Sequence, residues 1–399
     1  MKTSQFVSLF LFCFLIQQNC YAQWSSVLSV GGDVDFLART GDTLIAGGLS
    51  VLQFSSDHGD HWTDIQSGLP QFPSITGIQV KGQELFVSIM GNGVYHSPDF
   101  GNSWNEFNTG LVEPFIWGIA VNESFIFAVS TNGNVYQSSI TSPAWSSSFN
   151  GGSTITEIIA DGDNIYTGSI SNGIFVSNNS GGNWTEINEG IPRGSTNHEK
   201  EINKLALSPQ GTLYATVRGE GVFQFDAQSQ SWSALTNGIT DVQEPPFHDY
   251  HGLYCNNNVI IVGNDNFNVF MSDDYGQHFQ NIRDGSPLRT DDLTVQGGYI
   301  FVATSQVMRR AIDTLFQITS IDIREQQSYV DIFPNPTTDL VQISGNISFD
   351  WVEIVSLDGR ILHRTTMPTI HLSAYPKGLY LIRIGKAEQL LYTQKILRQ

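Results

Sequence analysis

The sequence predicts an all-β protein: a seven-bladed β-propeller followed by a small antiparallel β-sandwich. Three observations predict it. Aromatic residues recur at a period of roughly 42 residues, a spacing that suits several short strands per repeat. The 399 residues include 38 Gly in a polar Ser/Asn background, and outside the N-terminus no stretch carries a 3.6-residue apolar period. Near Ile318 the 42-residue period stops and the composition changes.

The chain opens with Lys2, an apolar run from Phe6 to Ile16, and Cys20-Tyr21-Ala22 before Gln23, the layout of a secretory signal peptide over residues 1–22. The run is too short for a permanent span, and no later stretch approaches 18 uninterrupted apolar residues, so no membrane span is expected. Cys13 and Cys20 leave with the signal. Cys255 is then alone, without an intramolecular disulfide, in a strand-like segment that reads as a buried inert thiol.

The repeat is marked by Trp24, Trp62, Trp104, Trp145, Trp184 and Trp232, with Phe279 and Phe316 in the same slot. The count fits seven blades, with six or eight as neighbouring alternatives. The second unit shows the layout: strands over Ile75–Val80, Glu84–Ile89, Gly93–Ser97 and Ser103–Phe107. Trp24 through Leu28 reads as an outer strand without a blade of its own. If it completes the last blade, the ring closes by pairing chain ends and hides two edges, although Phe316 competes for that slot.

An eight-residue frame precedes the fourth strand. It reads Ser97-Pro98-Asp99-Phe100-Gly101-Asn102-Ser103-Trp104 in the second unit, Ser55 through Trp62 in the first, Ser272 through Phe279 in the sixth, and Ser177 through Trp184, with Asn179 for the Asp, in the fourth. Gly59, Gly101 and Gly276 permit a positive φ, the Asp can accept N–H bonds inside the turn, and the aromatic covers apolar surface between blades. The frame resembles the Asp-box, or bacterial neuraminidase repeat, of sialidases, xyloglucanases and sortilin-type receptors. In those families it lies away from the active site, so Asp57, Asp99 and Asp274 are expected to be structural.

The propeller is assigned to 23–319, a polar linker to 320–328 and the sandwich to 329–399. Residues 23–327 hold 11 Lys/Arg against 32 Asp/Glu, whereas 328–399 hold 7 against 6. So acidic a propeller repels a phosphate backbone, which excludes nucleic acid as a partner. Within the last segment, Pro334-Asn335-Pro336, Asp358-Gly359-Arg360, Gly378-Leu379-Tyr380 and the basic end with Lys395 and Arg398 follow one another in a set order. This segment resembles the type A C-terminal sorting domain of the type IX secretion system of Bacteroidota. The resemblance implies engagement by that machinery, export to the outside or the outer-membrane surface via the periplasm, and removal of the domain near the 320s.

Ligand chemistry is expected on the face formed by loops entering each innermost strand and by loops joining second and third strands. Two repeats are longer than the mean, and their insertions, Arg193 through Glu201 and Asp241 through His251, both fall there. The candidate binding residues are Phe115, Trp117, His198, Glu199, Phe247, His248, Asp249 and Tyr250, with Asp33, Asp35, Asp291 and Asp292 on the rim. Aromatics beside carboxylates suit a glycan or a protein ligand. The alternative is a glycoside hydrolase or lyase, for which Asp249 and Glu199 are the candidate acids. A sialidase is disfavoured, because the Phe/Tyr-Arg-Ile-Pro motif is missing and Arg39, Arg193 and Arg218 form no recognisable carboxylate clamp. No cofactor motif is found, and Pro245-Pro246 opposes the helical turn that His248 and His251 would need to bind a metal together.

Overall fold

The computed structural model describes residues 24–28, 32–192, 201–240, 248–256, 258–266, 268–282, 289–312, 330–333, 339–345, 349–356, 360–386 and 389–398. The expected signal peptide, the linker and the candidates His198, Glu199 and Phe247 lie outside the described residues, as does Phe316. Two compact units are present, Met1–Gln317 and Ile318–Gln399. No helix among the described residues is long and apolar enough to cross a membrane.

The first unit is a ring of seven four-stranded antiparallel sheets. Blades one to six occupy residues 34–64, 75–106, 116–150, 155–186, 202–235 and 252–281, and blade seven begins at 292. The first strand of each blade touches that of the next, and that of blade seven touches that of blade one, so the first strands line the axis. Blade seven is completed from the far end of the chain: Ser25–Leu28 runs antiparallel to Val307–Ala311, Ser25 opposite Arg309. Leu28 joins Val34, Leu44, Phe301 and Val307 in one buried cluster across the closing seam.

In blade two, the second and third strands have the bounds expected from sequence, Glu84–Ile89 and Gly93–Ser97. The fourth is only Asn105–Glu106 rather than Ser103–Phe107. The frame consumes the missing residues. Ser97 Oγ donates to Asp99 Oδ1 at 2.9 Å and accepts from the Gly101 N–H at 2.7 Å, while Asp99 Oδ1 accepts from the Ser103 N–H at 2.8 Å. The same three bonds recur from Ser55, Ser177 and Ser272, with Asn179 taking the acid's place. Hydrogen bonds from His61 and Ser103 hold the carboxyls of Asp57 and Asp99 below the usual carboxylate range.

The residue before the frame's Gly also has a positive φ: 58° at His58, 56° at Phe100, 51° at Ser180 and 62° at Tyr275. At Gly101 itself a β-carbon would come 2.6 Å from Ile65 of blade one, so close packing between blades requires the glycine. Trp104, Trp145 and Trp232 donate their indole N–H to the carbonyls of Ile65, Phe107 and Ile187, each just past the fourth strand of the preceding blade. Trp62 instead bonds within its own frame, to the Gly59 carbonyl, and Trp184 shares its indole N–H between the Gly181 carbonyl of its own frame and Ser148 Oγ of blade three.

The second unit has a three-stranded sheet (Val330–Phe333, Leu340–Gly345, Thr369–His371) and a four-stranded sheet ordered Ile361–Thr365, Trp351–Ser356, Gly378–Lys386, Gln389–Arg398. Val341, Ile343 and Ile370 of the first share one core with Val352, Ile354, Tyr380, Ile382 and Ile384 of the second. The period of two in these residues is that of strands buried on one face.

Candidate functional site

The face opposite the frames is built from the loops that enter the innermost strands and those that join second and third strands. A one-residue bulge marks the start of the innermost strand in blades one to five, where the ladder skips Asp35, Thr76, Trp117, Thr156 and Asn203. At three of these positions the extra residue ties the ring together. Thr76 Oγ1 donates to the Ile116 carbonyl at 2.8 Å, Thr156 Oγ1 to the Ile202 carbonyl at 2.5 Å, and Asn203 Oδ1 accepts from the Tyr250 N–H at 3.2 Å. Trp117 departs from this pattern: its side chain is 45% exposed.

Phe115, two residues earlier, is 51% exposed and its backbone is held from both sides. Its N–H donates to Glu113 Oε1 at 3.1 Å, and its carbonyl accepts from the Thr131 N–H at 3.1 Å. Asn132 donates to the other oxygen of Glu113. The loop is therefore preorganised, and its ring stands out of it. Leu49, Phe72 and Val112 are also exposed on this face. Of the six large exposed hydrophobics among the described residues of the propeller, only Tyr275 lies on the other side. Phe72 has a φ of 54°, a strained conformation for an aromatic residue without a frame to hold it. Pro70-Gln71-Phe72-Pro73 is its sequence signal, an apolar residue set between prolines in a rim loop.

Charge collects on the other half of the face. Arg218 Nη1 lies 3.0 Å from Glu201 Oε2, and its Nε 3.3 Å from Asp249 Oδ1. Asp249 also accepts from Asn203 Nδ2 at 3.4 Å. His248 Nδ1 lies 3.0 Å from Asp265 Oδ1, and Arg289 Nε lies 2.6 Å from Asp291 Oδ1. Burial pushes the Asp291 carboxyl up to about 6, Arg289 opposing the rise and Asp35 and Asp33 adding to it. Burial, with Asp33 beside it, also raises Asp35. Burial holds His251 below the usual imidazole range against the pull of Asp249.

Deeper on the axis, Lys204 Nζ is 3.3 Å from Glu157 Oε2 and 3.4 Å from Asp292 Oδ1. Burial raises Glu157, with Lys204 opposing. Burial works to lower Lys204, and the two acids more than reverse it.

The structure thus brings Asp249 and His248 together with Glu201, Arg218 and Asp265, and sets Phe115 beside Trp117 on another arc of the ring. Tyr250, grouped with the rim from sequence, is instead fully buried in the core of blades five and six. Its N–H and carbonyl bond Asn203 and Thr216 of blade five, which draws the ring into the seam. Cys255 is buried, and burial pushes its thiol up to about 12, away from the thiolate form.

Residues 331–399 match the model of the secretion system C-terminal sorting domain, and residues 111–291 match that of the DUF6242 beta propeller domain. The chain therefore carries a type IX sorting domain, which implies handling by that secretion machinery and a secreted or outer-membrane-surface location. No curated protein sequence matches the chain. Among solved structures it is similar to YCF48 bound to D1 peptide, at 14% identity and a TM-score of 0.59, over 75% of this chain and 97% of that one. It is similar to PorZ, a bacterial surface component of the type IX secretion system of Porphyromonas gingivalis, at 15% identity and a TM-score of 0.54, covering 92% of this chain and 59% of PorZ. The extracellular domain of BT4673 from B. thetaiotaomicron matches at 13% identity and a TM-score of 0.59, over 95% of this chain and 59% of that one. These likenesses show the propeller fold.

Proposed function

We propose that the protein is a secreted or surface-displayed binding module that takes a protein or glycan on the face carrying Trp117, without chemistry of its own. The observation that carries this reading is the placement of Leu49, Phe72, Val112, Phe115 and Trp117 on one face, where apolar side chains stay in water although the ring has seams to bury them. The acids Glu201, Asp249, Asp265 and Asp291 are each engaged by Arg or His, which suits positioning better than proton transfer. The YCF48 structure holds a peptide, so a propeller of this kind can serve as a receptor. The repeated Ser–Asp–Gly bonds support reading the four frames as Asp-boxes, and the layout of residues 1–22 supports a signal peptide that begins the export route.

The hydrolytic alternative has one observation in its favour, the Asp291 carboxyl held near 6, in the range of a general acid. One experiment separates the two readings. The full chain is screened on glycan and peptide arrays, and polysaccharide hits are assayed for new reducing ends. Binding lost in Trp117→Ala, with no turnover, supports the module; turnover abolished by Asp249→Asn or Asp291→Asn refutes it.

A further inference from the structure

The exposed apolar residues form one continuous arc. Leu49 pairs with Ser74 in an isolated bridge, and the Ser50 N–H donates to the Pro73 carbonyl at 2.7 Å, which sets Leu49 against the loop of Phe72. The Met90 N–H donates to Ser74 and the Gly93 N–H to Pro114, carrying the contact to the loop of Phe115. A β-carbon at Gly91 would stand 3.7 Å from the Phe115 ring. The arc thus crosses blades one to three from Leu49 to Trp117.

The charge around the arc is predominantly acidic. Residues 40–192, which include blades two to four and most of blade one, hold 14 Asp and Glu and a single Lys or Arg, Lys81. Lys81 sits at the hairpin end of its strand, opposite Glu84 and on the far side of the disc, where it bonds the carbonyls of Asn122 and Glu123. Among the described residues of blades two to four, no Lys or Arg side chain therefore stands on this face. Acids do: Glu113 lies two residues before Phe115, and the Asp33 carbonyl accepts from the Leu49 N–H, placing Asp33 and Asp35 at the other end of the arc. Asp33, Asp35 and Asp291 lie close enough to act on one another, with Arg289 the one cation that the described residues set among these three acids.

We propose that this arc docks a cationic polypeptide segment of another protein, apolar or aromatic side chains seating on Phe115 and Trp117 and Lys or Arg meeting Glu113, Asp33 and Asp35. The inference rests on the reading of this face as the binding surface, and adds the chemistry of the partner. Charge complementarity selects the occupant. A predominantly acidic rim steers and holds cations, and the Trp117 indole offers a π face to an ammonium or guanidinium group.

The test uses the full chain and defined probes: a flexible peptide with Lys and Phe spaced in a Gly-Ser background, its Glu-for-Lys and Ala-for-Phe counterparts, and neutral and acidic polysaccharides. The Lys/Phe peptide is expected to bind, more weakly as salt is added, and both counterparts to lose affinity. Trp117→Ala and Glu113→Gln should each weaken binding roughly tenfold. The Gln can still accept the Phe115 N–H, so that variant removes the charge and the 3.3 Å Asn132 bond while keeping the bond that holds the Phe115 loop. Tyr275→Ala, on the opposite face, should change nothing. Equal binding of the Glu-for-Lys peptide, or Trp117-dependent binding of a polysaccharide in place of peptide, would overturn the cationic partner while leaving the binding face intact. If no probe shows binding that depends on Trp117, both readings fall.

Discussion

Lys204 and Asp292 sit on innermost strands two blades apart, and their side chains meet at 3.4 Å. The same ammonium reaches Glu157 of blade four, and the second oxygen of Asp292 accepts the Leu37 N–H of blade one at 3.0 Å. One cation therefore links blades four, five and seven, and through Asp292 the network extends to blade one.

Lys204→Met should leave two buried carboxylates facing each other, at a cost of about 3 kcal/mol, toward the low end for removing one partner of a buried pair. Urea melts measure it. The loss should shrink as pH falls, because Glu157, already raised by burial, then takes a proton, and Glu157→Gln on the Lys204→Met background should recover part of it.

Ser97 is fully buried, and its hydroxyl is acceptor to Gly101 and donor to Asp99. Ser97→Ala should cost about 1–3 kcal/mol by stranding the Gly101 N–H. Ser97→Cys, whose thiol is a poor substitute, should fall between wild type and Ala in the same denaturant titration.

Leu28→Ala should destabilise the propeller by about 2–5 kcal/mol, since its side chain fills the seam between blades seven and one. Amide exchange should quicken first over Val307–Ala311, the strand it helps to cover. Uniform quickening throughout the ring would instead show that closure has no local role.

The Asp291 carboxyl, held at about 6 against an ordinary 3.8, gives a signed pH dependence. A raised folded value means that the folded state binds the proton more tightly than the unfolded chain. Stability contributed by this group therefore falls as pH rises from about 4 to about 6 and is level above that. Asp291→Asn, which mimics the protonated form, should be more stable than wild type at pH 7 and indistinguishable below about pH 4. Thermal melts across that range decide it.

The wheel was legible because its turns are chemically marked. Frame serines, glycines and tryptophans recur where the backbone must reverse, and Glu84–Ile89 and Gly93–Ser97 follow from period-two patterning between such marks. Trp117 and Phe115 could be found because they stand where a rim loop enters a blade. Leu49 and Val112 could not, since an exposed apolar side chain leaves no periodic trace, and Phe72 is marked only by its flanking prolines. Tyr250 was misplaced for the converse reason: it follows polar residues like a rim aromatic, and only its backbone bonds to Asn203 and Thr216 reveal the seam. The Lys204 network joins three distant parts of the chain, and nothing local in the sequence signals such a partnership.

Pairing Ser25 with Arg309 makes the first described strand wait for the last described strand of the ring. A chain that stops short of Val307 has nothing to receive Ser25–Leu28 and keeps two strand edges open to aggregation and proteolysis. The latch thus ties closure of the ring to chain length: only a chain that extends past Val307 supplies the partner for Ser25–Leu28.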